Sequence, residues 1–376
     1  MSITGITTSA VKKINRSKVY ALIYSEKTIS KQAISQKLHM SLTTVSQNIK
    51  DLEEMNLIKK DGLYESTGGR KAQMINIINT ARISIGVNIL KKMVYITAVD
   101  LYGNILEKST INMPFKNSPS YCSELGEKIN TFINSLQYHK DAVLGVAIAI
   151  QGVISQDGKV ITYGKIMNCT GAKLENFAQF IKYPCRLEHD SKAAAYSELW
   201  HKKNVKDAFV LLLNHNLGGA LIMNGKIHQG REMHSGTIEH MCIVPNGKLC
   251  YCGKKGCLEA YCSADSLSDA AKENLDDFFK NLRKNEPNRK KIWETYLNNL
   301  AFAIKNINMV IDCNIVISGF LAPYMTKDDI DILYNMVKKQ SPFIIDKNLI
   351  RINKYSDFTT AAGAALYYID AFLQRI

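Results

Sequence analysis

Three cysteines fall within eight residues, Cys250-Tyr251-Cys252-Gly253-Lys254-Lys255-Gly256-Cys257, with two glycines between them. Glycine lets the backbone turn sharply enough to bring close thiols to one point. The stretch is therefore expected to close around a small centre. Thiolates joined by an imidazole suit tetrahedral Zn²⁺, and four protein ligands make such a site closed and structural. His240 is taken as the fourth ligand beside Cys250, Cys252 and Cys257. Cys242 and Cys262 compete for that place, but 241–244 reads as a strand that buries Cys242 in a core. The spacing Cys-x-Cys-x4-Cys is not that of ferredoxin clusters. Nine cysteines in a 376-residue chain with no apolar segment behind its first charges point to reduced thiols and a metal, and to the cytoplasm.

At 376 residues the chain exceeds one ordinary core, so two or three domains are expected. Hydrophobic residues at 46% and charged residues at 22% exclude a mostly disordered chain. The longest wholly apolar run, 142–150, is half the ~18 residues of a membrane span, so no membrane role is expected. The net charge of +14 is unevenly spread: residues 1–80 hold twelve Lys/Arg against six Asp/Glu. This asymmetry marks a small basic module, with a polyanion as its partner.

The pattern inside residues 1–80 says which polyanion. Ser30 is placed to cap a short helix carrying Ala33, Ile34 and Leu38 on one face. After the break at His39-Met40-Ser41, a second helix buries Val45, Ile49, Leu52 and Met55 at three- and four-residue spacing. Ser41, Thr43, Thr44, Ser46, Gln47 and Lys50 lie away from that face, with no acid before Asp51. Hydroxyls, amides and a cation bond base edges and phosphates, whereas carboxylates repel the backbone, so this is a helix for the major groove. Residues 57–65 read as a strand, an Asp61-Gly62 turn and a return strand. Thr67-Gly68-Gly69-Arg70-Lys71 then makes a basic wing tip, in which Arg70 and Lys71 reach DNA, before a strand at 74–77.

Beyond about residue 82 strands and helices alternate. Strands are expected at 83–89, 93–100 and 105–111, then a helix at 119–136 capped by Ser118, and an apolar strand at 142–150. A second round opens with 208–213, a Gly218-Gly219 turn and 220–223; 316–319 and a closing helix at 359–373 follow. Two related α/β units imply two lobes with a ligand cleft between them.

The order of helix-turn-helix, Thr-Gly-Gly-Arg wing, two-lobed body and Cys-Tyr-Cys-Gly-Lys-Lys-Gly-Cys-Leu-Glu resembles the ROK family of repressors and sugar kinases. The resemblance implies an α/β fold: a winged helix-turn-helix at 1–80 before a sugar kinase/actin-like (RNase H-like) body. That body has a first lobe at 81–200 closed by 359–376, and a second at 201–358 holding the zinc loop. It also implies a structural Zn²⁺, a sugar site in the cleft, and one of two trades: kinases lack the DNA module, whereas repressors carry it and take the sugar as inducer.

Phosphate chemistry separates the trades. A kinase of this family has Asp-x-Gly-Gly-Thr at its first strand, where this chain reads Asn88-Ile89-Leu90-Lys91. Bulky side chains there keep phosphate oxygens from the backbone. The second phosphate loop reads Asn214-His215-Asn216-Leu217-Gly218-Gly219 and keeps only part of its glycines. No ATP binding and no catalytic residue are therefore expected. For the sugar, the family's Asn-Asp pair becomes His189-Asp190, and its Gly-Glu-x-Gly-His becomes Gly236-Thr237-Ile238-Glu239-His240. The resemblance carries Gln151, Gly152, His189, Asp190, His240 and Glu259 over as sugar-contacting residues, while Thr237 departs from the pattern. The expected protein is a sugar-responsive regulator, most simply a repressor of carbohydrate-utilisation genes. It would bind double-stranded operator DNA as a homodimer or tetramer. The alternatives are a sugar kinase with a fused DNA module and a DNA-binding protein that takes no ligand.

Overall fold

The computed structural model describes residues 8–63, 73–202, 205–353 and 358–376. Two five-stranded sheets form the body. In the first, Ile83–Ile89 pairs antiparallel with Met93–Val99, which pairs with Ile105–Asn112. On its other side Ile83–Ile89 pairs parallel with Val143–Ile150, and that strand with Cys185–His189. The second sheet repeats the plan with Ala208–Leu212, Gly218–Met223, Lys226–His228, Asn314–Ser318 and Ile350–Ile352. In both, the spatial order is third, second, first, fourth, fifth. The first strand of each sheet is buried along its whole length, on both faces, as strands covered from both sides are.

The short N-terminal helices form where their caps predict. Ser30 Oγ accepts from Ala33 N at the start of Lys31–Leu38. Ser41 Oγ accepts from Thr44 N at the start of Leu42–Glu54. His39, in the left-handed region at φ 52, turns the chain between them. Ser118 caps Pro119–Ser135 with the proline in the first turn, where no amide is lost. The helix Thr8–Glu26 precedes the two helices placed from the sequence. Its buried Val19, Tyr20 and Ile23 acquire meaning only from what they pack against.

Three expectations are corrected. Asp61-Gly62 is not a hairpin turn: Ile58–Leu63 is one strand, paired with Gln73–Ile77 through a register shift between Lys60 and Leu63. The wing turn, with Arg70 and Lys71, lies outside the described residues. Gly218 and Gly219 are not a turn either, but sit in a strand opposite Leu212 and Leu211. A Cβ at 218 would meet Ser191 Oγ at 2.1 Å, and one at 219 would meet Gly236 O at 2.5 Å. They are glycines because two other segments press on the strand. Lastly, 241–244 is not a strand. Residue 242 makes only an isolated bridge to Cys257, and Cys242 is exposed instead of packed in a core.

The DNA module shares its core with the body. Val19, Ile23, Ile34, Val45, Leu52 and Leu57 belong to the same apolar cluster as Val99, Leu101, Ala362, Ala365 and Ile369. Each large member, fully buried, contributes about 2 kcal/mol. The closing helix Thr359–Leu373 crosses the helix Asp190–His201 so closely that a Cβ on Gly363 would meet Ala193 O at 1.8 Å. No helix among the described residues is long and apolar enough to cross a membrane.

Candidate functional site

On Leu42–Glu54 the side chains Thr43, Gln47 and Lys50 are exposed, while Thr44 and Ser46 are half-buried. Ser46 donates to Leu42 O at 2.6 Å, and the Ser41 and Thr44 hydroxyls lie 2.9 Å apart. Gln47 donates to Asp51 Oδ1 at 2.9 Å, and Lys12 approaches the other Asp51 oxygen at 3.0 Å. These contacts hold the Asp51 carboxyl below its usual range, and Lys12 offsets its charge. The sequence missed Leu42, which is 49% exposed at the start of the helix. Spacing hides it, because Leu42 lies three residues before Val45 and seven before Ile49, in phase with the buried stripe.

His240, Cys250, Cys252 and Cys257 bring one ligand atom each to within 4.8 Å of one another. Cys252 Sγ and Cys257 Sγ are 3.8 Å apart, and Cys250 Sγ lies 3.9 Å from His240 Nδ1. A tetrahedron with metal–sulfur bonds of about 2.3 Å has edges of about 3.8 Å, so the four atoms fit one metal ion. Cys262 is fully buried, with its Sγ 3.9 Å from Tyr296 O, and has no part in the cluster.

The remaining candidates meet where strands end. His189 is level with Ile150 in the parallel sheet, so Gln151-Gly152 and Asp190 leave adjacent strands side by side. Ligands of open α/β sheets bind at this carboxyl edge. Asp190 opens the helix Asp190–His201, and its Oδ1 accepts from Ser191 N and Oγ at 2.7 and 3.1 Å. Burial raises its pKa to about 6. His189 Nε2 lies 3.5 Å from Asp190 Oδ1, but its Nδ1 has no partner among the described residues and burial drives its pKa down to about 3. The His189 ring also lines a different cavity, of about 1150 Å³, shared with Tyr24, Tyr102, Lys192 and Trp200.

Glu259 is spent within the protein. Its Oε1 accepts from Asn216 Nδ2 at 2.8 Å and its Oε2 from Leu217 N at 2.7 Å. Asn214 Oδ1 accepts from Phe320 N at 2.8 Å, and His215 lies 2.7 Å from Asp265. The loop 214–217 thus turns donors inward that a phosphate-binding loop presents outward. At the first strand the Leu90 amide donates to Met93 O at 2.9 Å, closing a tight hairpin next to buried Asn88. Glu239, absent from the expected site, is 8% exposed, with its Oε2 unpartnered among the described residues. Burial, then Asp190 and Glu259, raise its pKa to about 8.

The ROK family model matches residues 84–370. The chain belongs to the ROK family. A winged helix-turn-helix DNA-binding model matches residues 12–59, ahead of the ROK body. Among relatives, the DNA-binding transcriptional dual regulator NagC of Escherichia coli K12 is 28% identical over 254 residues, 66% of this chain and 62% of its own. The xylose repressor of Bacillus spizizenii is 28% identical over 261 residues, 68% of this chain and 67% of its own. The crystal structure of a ROK family transcriptional regulator, a homologue of the E. coli MLC protein, matches with a TM-score of 0.79 at 20% identity, over 97% of this chain and 98% of that one. A ROK glucokinase from Streptomyces griseus in complex with glucose and AMPPNP matches with a TM-score of 0.68 at 17% identity, over 76% and 98%. These two likenesses show the fold: a ROK body, preceded in the first by the N-terminal module as well.

Proposed function

We propose that the chain is a cytoplasmic, sugar-responsive transcriptional regulator that represses carbohydrate-utilisation genes. It binds a palindromic operator as a dimer, or as paired dimers, through its winged modules, and sugar in the interlobe cleft lowers operator affinity. The observation that carries this reading is the exposed face of Thr43, Gln47 and Lys50 on a module that shares an apolar core with a ROK body. NagC, named a DNA-binding transcriptional dual regulator, and the xylose repressor support it. The inward-turned donors of loop 214–217 and the closed hairpin at Leu90 argue against ATP turnover.

The helix Asp190–His201 supplies a physical route between the sites. Asp190 sits at its first turn. Lys192 Nζ donates to Gln229 Oε1 and Met233 O at 2.7 and 2.9 Å, and Glu198 pairs with Arg351 at 2.6 Å; both contacts fix the helix to the second lobe. At its far end Trp200 Nε1 donates to Tyr102 O at 2.8 Å, and Tyr102 stacks on Tyr24 of Thr8–Glu26 at 4.7 Å. Movement of the second lobe is thereby passed to the DNA module. Such coupling amounts to about 1–3 kcal/mol in operator affinity. His240, Cys250, Cys252 and Cys257 would hold a Zn²⁺ through four protein ligands, and bound there it would shape the loop between His240 and Glu259.

Gel-shift titration against its own promoter region, over a salt series and with candidate sugars, tests the reading. Salt-dependent binding released by one sugar is expected; no binding at low salt would sink it. ATP consumption above background with any sugar would overturn the non-kinase assignment.

A further inference from the structure

Three carboxyl side chains from three elements are gathered around residues 217–219: Ser191 lies against Gly218, Gly236 and Ile238 lie against Gly219, and Glu259 accepts from Leu217 N. Asp190 comes from the N-terminus of Asp190–His201, Glu239 from the short turn Ile238–His240, and Glu259 from the start of Glu259–Cys262. They differ in what they bond. Glu259 has both oxygens filled by Asn216 and Leu217. Asp190 Oδ1 is filled by Ser191. Glu239 has a buried Oε2 with no donor among the described residues, and it is 8% exposed. A buried acceptor left unpaired is costly, so native proteins rarely keep one without a partner. No Lys or Arg pairs with Glu239 or Asp190 among the described residues, and the nearby Lys192 ammonium is held by Gln229 and Met233. The missing partner is therefore a donor that arrives from outside.

Position 237, where the sequence comparison looked for a sugar carboxylate, holds a threonine whose hydroxyl is spent on His234 O at 2.7 Å. Two residues later, one short helical turn brings Glu239 to the cleft instead. We propose that Glu239 is a specificity-determining residue of the effector site, its free oxygen accepting from a ligand hydroxyl beside one held by Asp190. The inference rests on the reading of the cleft as an effector site and names the ligand chemistry: a polyol ring presenting neighbouring hydroxyls to two carboxyl groups. Free sugars and their phosphates share that chemistry. Glu259, by contrast, also positions loop 214–217, with one donor on each of its oxygens.

The test is thermal-shift titration of the zinc-loaded full chain with glucose, xylose and N-acetylglucosamine, and with the 6-phosphates of the two hexoses. A wild-type protein that responds to none of them overturns the cleft reading itself, and this inference with it. Where the wild type responds, Glu239→Gln is expected to weaken that ligand on the order of tenfold or more, with zinc content and ligand-free melting temperature retained. Where the Gln variant loses zinc, Glu239→Asp, which keeps the carboxyl group and withdraws it by one methylene, gives the same comparison. The deoxy-sugar lacking the bonded hydroxyl should bind wild type and variant alike, which a merely structural glutamate would not produce. Equal affinity of wild type and a zinc-retaining variant for the responding sugar overturns the proposal while leaving the cleft reading intact.

Discussion

Asp190 binds its proton more tightly in the fold than in an unfolded chain, because burial lifts its pKa to about 6, well above the ordinary aspartate range. Its contribution to stability is therefore complete below about pH 4 and is lost as pH rises through 6. Asp190→Asn removes that titration. Relative to wild type, the variant is expected to gain on the order of 2 kcal/mol between pH 4.5 and 7, read from urea unfolding at the two values. A constant difference would show that Asp190 titrates normally. At the metal centre, Cys257→Ser removes one corner of a tetrahedron whose Cys252–Cys257 edge is 3.8 Å. Loss of bound zinc in elemental analysis is expected, with a melting temperature lower by several degrees, since metal binding is part of folding free energy in such loops. The cysteines were legible from their glycine-separated spacing. Glu239 was not, because nothing in its neighbours along the chain says that its oxygen is buried without a donor.

At the scale of elements, the reading helix Leu42–Glu54 was legible because local rules decide it: a serine cap, a buried stripe and an acid-free face. Lys50 is exposed, with Glu54 3.8 Å away, and under the proposed function it binds phosphate as a point charge. Lys50→Ala is expected to weaken operator and non-operator DNA alike and to reduce the salt slope of log K by about 1. Gln47→Ala is expected to cost about 1–3 kcal/mol on the operator and less on other DNA. Gel shifts across a salt series separate the two; equal losses on both DNAs for Gln47→Ala would remove its base-reading role. The Asp61-Gly62 turn and the Gly218-Gly219 turn misled for one reason. Glycine marks either a turn or a close approach by another segment, and only the neighbour, Ser191 or Gly236, tells which.

For the whole molecule, the question is how a sugar in the cleft is felt by the DNA module. The two lobes repeat one strand order, and the helix between them carries Asp190 at one end and Trp200 at the other. Trp200→Phe keeps the ring but removes the bond to Tyr102 O. Sugar affinity in thermal-shift titration should stay near wild type, while sugar-driven release from the operator falls severalfold. Retained release would show that the signal takes another path, such as the shared core of Val99, Leu101 and Ile369.

By itself the sequence determined the chemistry that short-range spacing can encode: the capped helix, the His/Cys cluster, the alternation that makes two α/β sheets, and the altered phosphate loops. Only the tertiary structure decided what depends on residues far apart in the chain. It set Thr8–Glu26 into a core shared with the closing helix, turned Glu259 onto loop 214–217, left Cys242 exposed, and gathered Asp190 and Glu239 at one strand edge. Burial and partnering belong to the packed fold, and local periodicity carries no record of which donor a distant carboxylate will meet.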